Sequence, residues 1–294
     1  MKSIEHFIEY YLLIVFAFFI RILPLKFARF MAVCLADFTY HIVGIRKKVV
    51  IKNLKDSFSN EKSEAEIRQI ARNTYRQFSK TMMELLFFPK WKKEDIENLV
   101  EIEGKSVLDQ AIREGRGAIL VAGHFCNWEL LGACVANLYP LSFVIGRQEN
   151  SKVDDLLNSF RAGKNFKMIP LKVALRGVMQ ALRKKEFVAM LADQDAHEDG
   201  TFVNFFGRPS STPKGPAVFA IRAKCPIIFS TIIRQKDKFK AIFIRLSLPA
   251  PTGNDEKDIQ NYTQSYTSVL EKYCRTYPDH WFWMHRRWKT KKSN

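Results

Sequence analysis

The stretch from Gly117 to Leu130, Gly-Ala-Ile-Leu-Val-Ala-Gly-His-Phe-Cys-Asn-Trp-Glu-Leu, constrains the fold more than any other part of the chain. Its apolar run, Ala118 to Ala122, reads as a buried strand. Gly123 permits a sharp exit, Asn127 is suited to cap a helix, and Trp128 to Tyr139 carries that helix. His124 therefore stands at the carboxyl end of a strand, where open α/β sheets bind their ligands. A carboxylate one helical turn away, Glu129, is placed to accept the other ring N–H. It would fix the tautomer and stabilise the imidazolium formed when the histidine takes a hydroxyl proton.

After Pro89 the same alternation continues. Strand-like runs at Leu141 to Ile145, Phe187 to Leu191, Ile227 to Ile233 and Phe239 to Leu248 are separated by helical patterns near Val153 to Ala162, Val173 to Lys184 and Gly215 to Ala223. This predicts an α/β fold, a mixed sheet flanked by helices, with the last two strands forming an antiparallel hairpin around Gln235 to Lys238. The first hundred residues read as helices. One of them, Ser63 to Phe88, opens on Ser63-x-x-Glu66, a capping box. A final helix is expected from Asp258 to Tyr277. No repeat or flexible linker interrupts the chain, and we divide it into N-terminal helices, residues 1–45, and a catalytic domain, residues 46–294.

Charge and apolar patterning narrow the partners. The 47 Lys and Arg against 30 Asp and Glu give +17, which calls for a polyanionic neighbour: nucleic acid, anionic lipid headgroups or an acidic protein. The segment Phe7 to Leu25 is apolar but broken by Glu9, Arg21 and Pro24, which makes it marginal against the about 20 apolar residues that a span needs. It lacks the basic start and the cleavage site of a signal peptide. With Phe27 to Gly44 it predicts a helical pair embedded in or resting on a membrane, with Arg46, Lys47, Lys48 and Lys52 on the cytoplasmic side. The alternative is a buried core helix of a soluble protein. Five cysteines without Cys-x-x-Cys spacing suggest neither a disulfide framework nor a zinc site, and Cys126 reads as a buried thiol rather than a nucleophile.

Four blocks in order resemble a known family. They are Gly-His124-Phe-Cys-Asn-Trp-Glu129-Leu, Ala192-Asp193-Gln194-Asp195, Phe202-Val-Asn-Phe-Phe-Gly207, and Trp281-Phe-Trp-Met-His285-Arg-Arg-Trp-Lys289. Together, across residues 117 to 289, they resemble the late lipid A acyltransferases, a branch of the lysophospholipid acyltransferase superfamily with a His-x-x-x-x-Asp/Glu motif. The resemblance implies acyl transfer from acyl carrier protein to a hydroxyl of a lipid A precursor, at the cytoplasmic face of an inner membrane. It implies neither metal nor cofactor. His124 would be the general base and Glu129 its orienting partner.

Further candidates surround this pair. Arg161, after the helix beginning near Val153, matches an arginine that is functionally important in the family, and Arg147 competes with it. Either guanidinium could neutralise a phosphate or a thioester oxyanion. Asp193 and Asp195 emerge from the strand Phe187 to Leu191 at the same sheet edge as His124. A metal is conceivable for such a pair, but the resemblance implies structural and substrate-positioning roles. The loop with Phe205 and Gly207 could be a lid or the mouth of an acyl channel, or could simply pack on the core. Thr212 and Lys214, at a helix start with Pro213, suit a phosphate and are also ordinary capping chemistry. The Trp- and Arg-rich end suggests nucleic acid as readily as an anionic lipid interface. The resemblance favours lipid and no nucleic acid. Rival readings are an acyltransferase for another glycolipid, a glycerophospholipid or an aminolipid, a hydrolase using water at the same base, and a basic binding protein without catalysis.

Overall fold

The computed structural model describes residues 2–58, 61–147, 149–164 and 166–292. In chain order the first half runs α1 (Lys2–Ile22), α2 (Leu25–Phe38), α3 (Lys47–Phe58), α4 (Glu64–Leu85), α5 (Lys93–Leu99), β1 (Val100–Glu103), α6 (Lys105–Glu114), β2 (Ala118–Ala122), α7 (Trp128–Ala136) and β3 (Leu141–Ile145). The second half runs α8 (Ser151–Ala162), β4 (Phe166–Pro170), α9 (Ala174–Arg183), β5 (Phe187–Leu191), β6 (Thr201–Phe205), β7 (Arg208–Thr212), α10 (Gly215–Ala223), β8 (Ile227–Gln235), β9 (Lys238–Arg245) and α11 (Asp255–Thr276).

Seven strands form one sheet in the order β1-β9-β8-β2-β5-β3-β4. Every neighbouring pair is parallel except the β8–β9 hairpin, so the sheet is mixed, as the sequence predicts. β2 lies at its centre and all its residues are buried, which is why it reads as an unbroken apolar run. Its register with β5 pairs Ala122 with Leu191, and that pairing decides which residues meet beyond the strand ends. α4 starts where the capping box places it: Ser63 Oγ accepts the Glu66 N–H and the Glu66 carboxylate accepts the Ser63 N–H at 2.8 Å.

The structure departs from the sequence expectation in the β6–β7 hairpin and in the two edge strands, β1 and β4. The stretch read as a Phe-rich loop followed by a helix start is a two-stranded antiparallel hairpin, β6–β7. Its turn residues, Phe206 and Gly207, have φ of 55° and 71°, the positive pair that a tight hairpin of right-handed twist demands. The edge strands β1 and β4 join the sheet through short, charge-bearing segments, Val-Glu-Ile-Glu and Phe-Lys-Met-Ile-Pro, that carry little apolar signal.

The N-terminal helices differ in how they attach. α2 buries Ala28, Ala32 and Ala36, one per turn, and this small-residue stripe seats it against α4. α1 packs on α8 and leaves a broad apolar surface, including Phe7, Leu12, Phe18 and Phe19, exposed. Among the described residues no single helix is long and apolar enough to cross a membrane. The segments Leu25–Val43 and Lys47–Phe58 reach that composition only as a pair bent by 94°.

Candidate active site

The site begins where β2 and β5 end side by side. Because Ala122 pairs with Leu191, continuing both strands by two residues brings His124 opposite Asp193. The contact is made twice: His124 Nδ1 lies 2.8 Å from Asp193 Oδ1, and the His124 backbone N–H donates to Oδ2 at 2.8 Å. Trp281 Nε1 donates to the same Oδ2 at 2.8 Å, so the carboxylate is held from three directions. Gly123 lets the strands come this close: a Cβ would lie 3.2 Å from the Asp193 carboxyl group and 3.1 Å from Leu270, so both would have to give by a few tenths of an ångström.

Asp193 can only accept from the ring, so Nδ1 carries the proton and Nε2 keeps its lone pair. Nε2 has no hydrogen-bond partner among the described residues, and the side chain is 23% exposed. Burial would lower the imidazole pKa, but the charge and hydrogen bond of Asp193, with the charge of Glu129, outweigh it and raise the value above that of a free imidazole.

The partner expected from sequence is therefore corrected: the carboxylate on the ring is Asp193, not Glu129. Glu129 turns instead to Arg161, which donates Nε to Oε2 at 2.9 Å and Nη2 to Oε1 at 2.5 Å. This fork is anchored further by Arg161 Nη1 to Asn158 at 2.7 Å. Glu129 thus fixes the Arg161 guanidinium and adds its own negative charge to the imidazole's surroundings. Of the two arginine candidates, Arg161 is the one tied to this centre, whereas Arg147 is exposed beyond β3.

A buried polar knot holds the turn that carries these residues. Cys126 has φ of 49°, its N–H donates to His280 O at 2.7 Å and its carbonyl accepts from Thr81 at 2.9 Å. Asn127 caps α7 through the Leu130 N–H at 2.9 Å and donates to Glu84 at 2.7 Å. Glu84, fully buried on α4, also receives Arg29 Nε at 2.6 Å and Arg234 Nη1 and Nη2 at 2.7 and 3.0 Å. The Cys126 thiol is buried and its pKa is pushed up to about 12 by that burial, which removes it as a nucleophile.

Several sequence-predicted roles move elsewhere. Asp195 accepts from Thr290 Oγ1 at 2.8 Å, and its N–H donates to His285 Nε2 at 2.9 Å, so it staples the C-terminal segment rather than meeting substrate. Phe205 is no lid: it is 0% exposed and stacked on Trp288, with Trp281 at 5.3 Å between ring centroids. Gly207 serves the hairpin turn. Thr212 is buried and bonded to Arg287, which leaves no hydroxyl for a phosphate, and Lys214 stands exposed at the N-cap of α10. The Trp-rich end is not an interfacial strip either. Trp281, Trp283, Trp288 and Arg287 are buried, and the segment pairs Phe125 with Trp281 and donates Phe282 N–H to His124 O at 3.0 Å. Among the described residues no three His, Cys, Asp or Glu side chains converge as a metal-binding set.

A narrow apolar slot of about 20 Å³ lies beneath α7, lined among others by Leu131, Gly132, Val135, Phe143, Met190 and Trp128, whose ring centroid is 5.1 Å from that of His124. A Cβ on Gly132 would fall 2.5 Å from Phe143 Cζ, so glycine keeps the slot as wide as it is.

A buried carboxylate orienting a histidine where the parallel strands β2 and β5 end is the arrangement of a general base and its orienting partner. The chain belongs to the bacterial lipid A biosynthesis acyltransferase family, whose sequence profile matches residues 1–290. It is 27% identical over 250 residues to the lipid A biosynthesis palmitoleoyltransferase of Escherichia coli (strain K12), covering 84% of this chain and 79% of that protein. It is also 27% identical over 249 residues to the lipid A biosynthesis lauroyltransferase of the same strain, covering 84% and 80%. A phosphatidylinositol mannoside acyltransferase of Mycobacterium tuberculosis (strain CDC 1551 / Oshkosh) is 24% identical over 194 residues, 64% of this chain and 59% of that protein.

Proposed function

We propose that the protein transfers a fatty acyl chain from acyl carrier protein to a hydroxyl of a lipid A precursor, working at the cytoplasmic face of the inner membrane. The observation that carries this reading is the His124 ring, with Nδ1 committed to Asp193 and Nε2 free to take a proton. Nε2 removes the acceptor hydroxyl proton as the oxygen attacks the thioester carbonyl. The resulting oxyanion collapses, the C–S bond breaks, and the imidazolium returns the proton to the departing thiolate. Asp193 stabilises the imidazolium throughout, and no enzyme nucleophile is needed. Arg161, fixed by Glu129, is the cation at hand for the oxyanion or a substrate phosphate.

The net charge of +17 suits both the acidic donor protein and anionic headgroups, and the exposed apolar surface of α1 suits attachment to a membrane surface.

A second acceptor class has a specific basis in the likeness to phosphatidylinositol mannoside acyltransferases. Offering acyl carrier protein and coenzyme A thioesters separately, against a tetra-acylated lipid A precursor and a mannosylated phosphatidylinositol, distinguishes the readings. Transfer from the carrier protein to the lipid A precursor is expected. Preferential acylation of the mannolipid would reassign the acceptor, and release of free fatty acid alone would make the protein a hydrolase.

A further inference from the structure

Away from His124, the end of α2, the start of α3 and the first half of α4 enclose a cavity of about 520 Å³. The chain approaches it irregularly: α2 loosens into a π turn, Thr39–Val43, Gly44 turns left-handed, and Arg46 adopts a φ of 56°. Such departures from a regular helix are frequent at functional sites. The cavity wall carries Lys47, Lys55, Arg68 and Arg72, while its lining holds one carboxylate, Glu64. Lys55 and Arg68 share that carboxylate, Arg68 at 2.9 Å. Arg72 is bound to Asp37. Lys47 has no carboxylate partner among the described residues and lies 4.2 Å from the Tyr40 ring centroid. The cavity is therefore short of negative charge.

Its rim is the opposite in character. Phe38 at the end of α2 and Ile42, Val43 and Ile45 on the turn that follows, flanking the lining residues Tyr40 and His41, are all exposed, as are Phe27 and Phe30 of α2. A cationic hollow bordered by bare aliphatic and aromatic side chains matches an amphiphile with an anionic head. It is also remote from the acyl-transfer centre. On α4, Phe78 is the residue next to the His124 surroundings, through Phe282 at 4.9 Å. Arg72, the cavity residue of α4 nearest to it, lies six residues earlier, roughly 9 Å along the helix.

We propose that this cavity binds the phosphate headgroup of an anionic membrane phospholipid and so seats the protein on the bilayer at a place separate from its catalytic centre. The test compares the full-length wild type with Lys47→Ala/Arg68→Ala and with Arg113→Ala/Lys184→Ala, a pair of exposed cations of equal charge outside the cavity. Flotation with vesicles of phosphatidylcholine alone, and with added phosphatidylglycerol, reads the binding. The cavity variant is expected to lose about tenfold of its affinity for the anionic vesicles and to keep its affinity for neutral ones, while the control variant changes little. Equal losses in both variants, or none in the cavity variant, would overturn the proposal. In an acyl-transfer assay in uncharged detergent, the cavity variant should keep the wild-type KM for the lipid acceptor. A raised acceptor KM there would give the cavity to the acceptor's own phosphate and also overturn it. The vesicle experiment does not depend on the acyl-transfer reading, so failure of one is distinguishable from failure of the other.

Discussion

His124→Ala lowers acyl transfer by about a hundredfold to ten-thousandfold, the range for loss of a positioned general base. The fold should survive with reduced stability, because buried Asp193 loses its ring partner but still accepts from the His124 backbone N–H and from Trp281 Nε1. Asp193→Asn separates the two carboxylates more sharply. An asparagine presents a neutral group to Nδ1, so the imidazolium loses its counter-charge and the tautomer is no longer fixed. The pH profile supplies the signature. The base works only when neutral, so activity falls as pH drops through the imidazole pKa. Burial lowers that pKa, but Asp193 more than compensates and holds it above about 6.5, the ordinary value for imidazole. The acid limb of the wild type therefore lies at higher pH than a free imidazole would give, and Asp193→Asn moves it downward. Glu129→Gln, whose carboxylate is engaged by Arg161, should move the limb less while still reducing activity.

Glu84→Ala is the substitution expected to cost the most stability. It would strand the buried Arg234 guanidinium and leave buried Arg29 to the exposed Asp237 carboxylate at 3.6 Å, a loss of about 3–5 kcal/mol by urea or thermal unfolding. The folded fraction should also lose activity, because Asn127 Nδ2 would lose its acceptor and Asn127 caps the helix that carries Glu129. Burial alone would raise the Glu84 carboxyl pKa, but Arg234 and Arg29 bring it below the usual value. The sign follows: the contribution is complete above the unfolded carboxyl pKa of about 4.3 and is lost as pH falls through the lower folded value. Glu84→Ala should therefore flatten the acid side of the stability profile.

The residues that were legible in the sequence are those whose signal is local. β2 shows as an apolar run because both its faces are covered, α4 because Ser63 and Glu66 cap each other, and the β8–β9 hairpin because its strands follow one another. The partner of His124 was not local. Glu129 is closest in sequence, whereas Asp193 is brought in by the pairing of β2 with β5, a sheet order that no short window contains. A signal did exist, since His124 and Asp193 each stand two residues beyond a buried strand. The β6–β7 hairpin was hidden for another reason. Ser210, Ser211 and Thr212 are fully buried with their hydroxyls bonded internally, so a strand of polar residues reads as a helix entrance. The C-terminal aromatics misled in the same way: their cations suggested a surface, but Arg287 is itself buried against Phe205 and Thr212.

The most direct measurement is the mass of the lipid product when the folded wild-type protein and His124→Ala are each incubated with acyl–acyl carrier protein and a tetra-acylated lipid A precursor. The account predicts a gain of one acyl group with the wild type and at least about a hundredfold less with the variant. An unchanged precursor mass with folded wild type, or equal product from both proteins, would contradict it.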